Sequence, residues 1–175
     1  EEKASKQIEV CTGLSHETVF RILKGLVLRG YLMKRTVGKT NVYRFLLRDD
    51  SYLVYAHYMT KKLESLKTKQ HLLYKRLKEF TETIRATCSV LFGSYAKGMQ
   101  TEKSDVDLLV VSDDKTADGE ARKFETKYAT AIHPVIINPH DFPNIKRDNP
   151  AFHKDLIEYG IVVDGIEYFF KETYL

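Results

Sequence analysis

Little in this 175-residue chain interrupts regular structure, since it holds only 9 glycines and 4 prolines. With 43% hydrophobic and 30% charged residues, that scarcity excludes collagen-like and wholly disordered chains and predicts a protein that folds as one ordinary domain or two small ones. No apolar run approaches the ~18 residues that span a bilayer, so no membrane partner is expected. The opening Glu1-Glu2-Lys3-Ala4-Ser5-Lys6 lacks the apolar centre of a secretory signal, which predicts a cytoplasmic location. An initiating Met is also missing, which suggests a trimmed fragment without its first helix. Cysteine is scarce too. Cys11 and Cys88 lie in different apolar segments at no metal-ligand spacing, so buried, reduced thiols are expected.

The net charge of +4 is unevenly spread. Residues 1–50 carry ten Lys and Arg against six Asp and Glu, residues 51–85 eight against three, and residues 86–175 ten against fifteen. The front of the chain is basic and the back acidic. A basic front is the electrostatic footprint of something that meets phosphate backbones, although a solvated charged surface has the same composition.

Within that front, Ser5–Val10 reads as a short helix and Cys11-Thr12-Gly13-Leu14 as a tight turn, in which Gly supplies the backbone freedom. Ser15 is placed to cap a second helix, with Glu17 near its positive end. From there to Gly30, Val19, Ile22, Leu23, Leu26 and Val27 recur at helical spacing, leaving a basic outer face. Tyr31–Arg35 and Val42–Leu46 are β-rich runs around the basic tip Thr36-Val37-Gly38-Lys39-Thr40-Asn41. Helix, turn, helix and hairpin over Ala4–Leu47 resembles the winged helix-turn-helix of prokaryotic transcription regulators. The resemblance implies duplex DNA as a partner, with Ser15, His16, Thr18 and Arg21 at base edges and Arg35, Lys39 and Arg44 on phosphates. Winged helices also serve as protein-binding modules, and that alternative stays open.

Between Ser51 and Thr83 there is no Gly or Pro. Tyr52, Ala56, Met59, Leu63, Leu66, Gln70, Leu73, Leu77, Phe80 and Ile84 follow steps of four and three, which predicts one long helix with a heptad seam and a homodimer built on it, Gln70 being the polar seam position. The alternative is that the stripe packs on its own chain.

The strongest signal lies further on. The apolar strand Cys88-Ser89-Val90-Leu91-Phe92 runs into Gly93-Ser94-Tyr95-Ala96-Lys97-Gly98, and Asp105-Val106-Asp107 follows, leading the apolar run Leu108-Leu109-Val110-Val111. On a strand, residues i and i+2 share a face, so Asp105 and Asp107 project together while Val106 is buried behind them. Two such carboxylates can hold Mg²⁺, whose remaining ligands are substrate phosphates. Gly93 lets the backbone approach those phosphates and Ser94 can donate to them.

This segment, from about Arg85 to Val111, resembles the nucleotidyltransferase superfamily typified by DNA polymerase beta, and residues 149–163 are similar to the closing helix and strand of its minimal members. The resemblance implies a small mixed sheet, Mg²⁺, a nucleoside triphosphate and transfer of a nucleotidyl group with pyrophosphate leaving. Asp105 and Asp107 would be catalytic metal ligands, and Gly93 and Ser94 would grip the triphosphate, with Lys97 able to touch phosphate. Active members carry a third carboxylate on a later strand. Here that strand is Ala131–Asn138, which has no Asp or Glu; His133 stands near the place and could ligate a metal or act as base.

The expected fold is therefore α+β: a winged helix-turn-helix over 1–50, a connecting helix over 51–84, and a nucleotidyltransferase domain over 85–175, a mixed sheet flanked by helices. Two functions fit. One is an Mg²⁺-dependent nucleotidyltransferase recruited by its winged helix, with a protein acceptor possible; the other is a DNA-binding regulator whose transferase domain is degenerate.

Overall fold

The computed structural model describes residues 2–48, 50–101, 104–114, 116–128 and 132–175. The chain divides into two compact units, Glu1–Tyr52 and Leu53–Leu175.

In the first unit, strand β1 (Glu2–Ala4) leads into helix α1 (Ser5–Thr12). Gly13 ends α1 with φ 66°, and its N–H donates to the Glu9 carbonyl at 2.8 Å, the left-handed close that glycine makes without steric cost. Ser15 Oγ then accepts from the Thr18 N–H at 3.4 Å and caps α2 (His16–Leu28). Strands β2 (Leu32–Val37) and β3 (Thr40–Phe45) form an antiparallel hairpin, and β1 pairs with the other edge of β3. Val19 and Leu23, one turn apart on α2, are buried with Tyr43 of β3. They are the buried apolar side chains of this unit's core, while Phe20 and Leu28 remain 52% and 78% exposed. Cys11 is exposed, against the expectation that both thiols are buried, because α1 buries none of its residues; Cys88 is buried, and both thiols are free.

The second unit takes in nearly all of α3 (Ser51–Lys69), then α4 (His71–Thr83), β4 (Cys88–Leu91), α5 (Gly93–Lys97), β5 (Val106–Val111), α6 (Ala117–Tyr128) and β6 (Ile132–Ile137). A 3-10 turn at Phe142–Asn144 precedes α7 (Ile145–Asp148), α8 (Pro150–Tyr159), β7 (Ile161–Asp164) and α9 (Ile166–Tyr174). Strand order is β6-β5-β4-β7. β4 runs antiparallel to β5 and β7, and β5 parallel to β6, so the unit is α+β with a mixed sheet flanked by helices.

Alternation along β5 sorts the two layers. Val106, Leu108 and Val110 face a cluster with Leu73, Leu77, Phe80 and Ile84 of the α4 segment and Phe124 of α6. Leu109 and Val111 face the opposite layer, with Met59, Phe142, Ile145, Leu156 and Phe169. The expected single helix over 51–84 is two helices. The chain breaks at Gln70, with φ −140° and ψ 57°, and the seam residues on either side are core of this same unit. Met59 belongs to one layer and Leu66 onward to the other, so the stripe passes from one layer to the other within α3, before the break. A step of four and three is equally the pattern of a helix lying on a sheet. Among the described residues no helix is long and apolar enough to cross a membrane.

Candidate active site

The site lies where β4 ends and β5 begins. Leu91 pairs with Leu108 across the antiparallel ladder, and the Phe92 N–H continues it by donating to the Asp107 carbonyl at 3.0 Å. The next residue therefore comes up against the Asp107 side chain. Gly93 sits at φ 65°, and a Cβ there would lie 2.9 Å from Asp107 Cγ, closer than side-chain carbons come. Both the positive φ and the contact require glycine. This accounts for the spacing: α5 and the loop after it span the distance between two residues that the ladder holds together.

Asp105 and Asp107 share one face of the β5 line, and Val106 between them is fully buried on the other. The Asp105 side chain is 52% exposed, and Asp107 is half-buried. In the parallel β5–β6 register His133 stands beside Asp107, and its Nε2 lies 3.9 Å from Asp105 Oδ2, outside hydrogen-bond distance. Asp105, Asp107 and His133 are thus neighbours at one end of the sheet. Among the described residues no three His, Cys, Asp or Glu side chains converge into a metal cage. Two carboxylates on one face are nonetheless a fitting partial shell for Mg²⁺, which takes one or two from protein and completes its octahedron with phosphates and water.

Ser94 follows in the first turn of α5, and its carbonyl accepts from the Met99 N–H at 2.9 Å. Lys97, expected to be able to touch phosphate, pairs with Asp155 of α8 at 2.6 Å and lies over the Tyr159 ring at 5.0 Å. The hydrogen-bonded Asp155 carboxylate raises the Lys97 pKa. Sequence reasoning missed these partners; Asp155 and Tyr159, four apart on α8, present one side of that helix. It also missed Phe152, whose ring packs edge-on against Phe92 at 5.2 Å, immediately before Gly93.

Four of the seven residues expected at DNA have side-chain partners within the first unit. Ser15 and Thr18 bond each other at 2.9 Å, Oγ to Oγ1. His16 Nδ1 lies 2.6 Å from Glu9 Oε1, and Arg35 donates to Glu2 at 2.6 Å. Arg21, Lys39 and Arg44 are exposed.

A family model described as Polymerase beta, Nucleotidyltransferase matches residues 75–165, just over half the chain, and the chain belongs to that family. A relative from Methanocaldococcus jannaschii, whose name makes it a candidate protein adenylyltransferase, is 34% identical over 98 residues, 51% of this chain and 95% of its own length. A second relative from the same organism and with the same description is 34% identical over 84 residues, 43% of this chain and 56% of its own. A solved chain from a toxin–antitoxin structure with AMP-PNP aligns over 57% of this chain and 82% of its own at 18% identity, with a TM-score of 0.43, a likeness too loose to bear on the site.

Proposed function

We propose that this chain is an Mg²⁺-dependent adenylyltransferase that moves AMP from ATP to a hydroxyl group of a protein acceptor in the cytoplasm. The observation that carries this reading is the packing of Gly93 against the Asp107 carboxylate with Asp105 on the same strand face, in a chain of the nucleotidyltransferase family. Adenylyl as the group and protein as the acceptor are taken from what the two archaeal relatives are called. Asp105 and Asp107 would hold the metal, which supplies charge neutralisation for the phosphates. The Gly93 backbone and Ser94 would hold the triphosphate. The acceptor oxygen attacks the α-phosphorus, the bond to the bridging oxygen breaks, and pyrophosphate leaves with the electron pair. His133, beside Asp107, is in reach of this region and would take the hydroxyl proton in place of the absent third carboxylate.

The first unit would recruit the enzyme. Its helix–helix–hairpin order and exposed Arg21, Lys39 and Arg44 support a winged helix on duplex DNA. A homodimer is no longer supported by the seam, which is spent inside the second unit. One observation favours the alternative of a regulator with a degenerate transferase: β6 offers His133 where active relatives of the superfamily carry an acid.

Incubation with ATP labelled at the α- or the γ-phosphate, Mg²⁺ and cell extract tests the proposal. Stable labelling of a protein from α-labelled ATP alone is expected. Label that follows the γ-phosphate, or a product that is nucleic acid, would overturn the acceptor chemistry; absence of any transfer with nucleotide still bound would favour the regulator.

A further inference from the structure

The segment that would grip the triphosphate is short. α5 has five residues, Gly93–Lys97, and closes with the Met99 N–H on the Ser94 carbonyl at 2.9 Å and the Gly98 N–H on the Tyr95 carbonyl at 3.3 Å. One turn of helix does not hold itself in water, where isolated helices of fewer than roughly 12–15 residues are marginal. Its position must come from what it packs on. Tyr95 and Ala96 lean on the apolar cluster around Leu77 and Phe80, which fixes the middle of the turn and leaves its two ends to other contacts.

Both ends are met by one face of α8. Phe152, Asp155 and Tyr159 stand at i, i+3 and i+7 and so share a side of that helix. Phe152 meets Phe92, the residue before Gly93, with ring centroids 5.2 Å apart. Asp155 Oδ1 lies 2.6 Å from Nζ of Lys97, the last residue of α5, and the Tyr159 ring is 5.0 Å from the same ammonium group. α8 is itself secured at its two ends. Asn149 Oδ1 accepts from the Phe152 N–H at 3.2 Å, and Lys62 of α3 donates to the carbonyls of Glu158, Tyr159 and Gly160 at 3.3, 3.2 and 3.0 Å, groups that a helix end otherwise leaves unsatisfied. A helix anchored in this way can hold a short one in place.

We propose that Asp155 is a positioning residue of the transfer site: by pairing with Lys97 it fixes the far end of α5, as Phe152 fixes the near end through Phe92, and so sets Gly93 and Ser94 for the triphosphate. This role rests on the reading of Gly93 and Ser94 as the triphosphate grip. Asp155 touches neither metal nor phosphate in it and acts only through Lys97.

Two measurements on the full chain test it. Hydrogen exchange of the ligand-free protein reads the clamp without nucleotide: Asp155→Asn should speed exchange of the Gly98 and Met99 amides, which close α5, while the Val90 amide of β4 is unchanged. Calorimetric titration with Mg²⁺–ATP reads the consequence. Asp155→Asn should weaken binding by about tenfold, Asp155→Glu should keep most of the affinity, and Asp155→Asn should add nothing in a Lys97→Met background. The thermal midpoint should hold, since a partly exposed ion pair contributes little stability. Unchanged affinity in Asp155→Asn would overturn the proposal even if exchange quickens or the midpoint falls, because the contact would then be structural alone. Weaker binding with unchanged exchange would overturn it too, since α5 would not be what Asp155 fixes. So would a loss that persists in full when Lys97 is already Met. Each of these outcomes leaves the reading of the site standing; a parent chain that binds no Mg²⁺–ATP would sink that reading and the positioning role with it.

Discussion

The two units of this chain spend their residues differently. The second unit surrounds a four-stranded sheet with apolar side chains on both faces, and Val90, Val106, Leu108, Leu109, Val110 and Val111 are all fully buried. The first unit buries Val19, Leu23 and Tyr43 and leaves Phe20, Leu28, Arg21, Lys39 and Arg44 at its surface. A site that must hold two carboxylates and a glycine backbone in contact needs the rigid ladder that dense burial provides. A surface that recognises a partner needs only its side chains displayed.

The sharpest way to break this contrast is to truncate one aromatic ring in each unit. Phe80 is fully buried and packs edge-on against Phe124 at 5.2 Å; Phe80→Ala should cost about 3–5 kcal/mol. Phe20→Ala, at an exposed position, should stay within about 0.5 kcal/mol. Denaturant unfolding of both variants checks the difference, and equal losses would mean that the units do not differ in packing.

Next in size is the chemistry. Asp107→Asn should lower adenylyl transfer by roughly 10²–10³-fold, read as labelled acceptor per unit time, with little change in stability because Asp107 is only half-buried. Removing Mg²⁺ with EDTA should give a loss at least as large.

Gly93→Ala tests the contact on which the site is built. A non-glycine residue in left-handed backbone costs about 1–2 kcal/mol, and the new Cβ must displace the Asp107 carboxylate, so transfer should fall together with the unfolding midpoint. If activity survives while stability drops, the approach of Gly93 to Asp107 is structural only.

The smallest effect concerns the first unit. Arg21→Ala and Lys39→Ala should each weaken duplex DNA binding modestly and uniformly across sequences, and each should lower the slope of log affinity against log salt by about one. Filter binding at several salt concentrations measures this. An unchanged slope would move the unit into the class of protein-binding modules.

Local patterns carried the parts of the molecule that lie close in sequence. The run Leu108–Val111 is legible because a strand buried on both faces is apolar throughout, whereas the contact of Gly93 with Asp107 is made by the ladder between β4 and β5 and appears only in the fold. The break at Gln70 is not legible, since no Gly or Pro marks it. Nor could exposure of a polar residue reveal who holds it. Lys97 finds Asp155, His16 finds Glu9 and Arg35 finds Glu2 only once the chain has folded.

The account depends most on the Asp105–Asp107 pair as the place where a metal-bound triphosphate sits. Titration of Mg²⁺–ATP into the parent chain and into the Asp105→Asn, Asp107→Asn double variant tests that pair directly. Saturable binding in the parent that requires the metal and disappears in the double variant is the predicted result, with the variant's circular dichroism unchanged. Equal affinity in both proteins would contradict the assignment of the site.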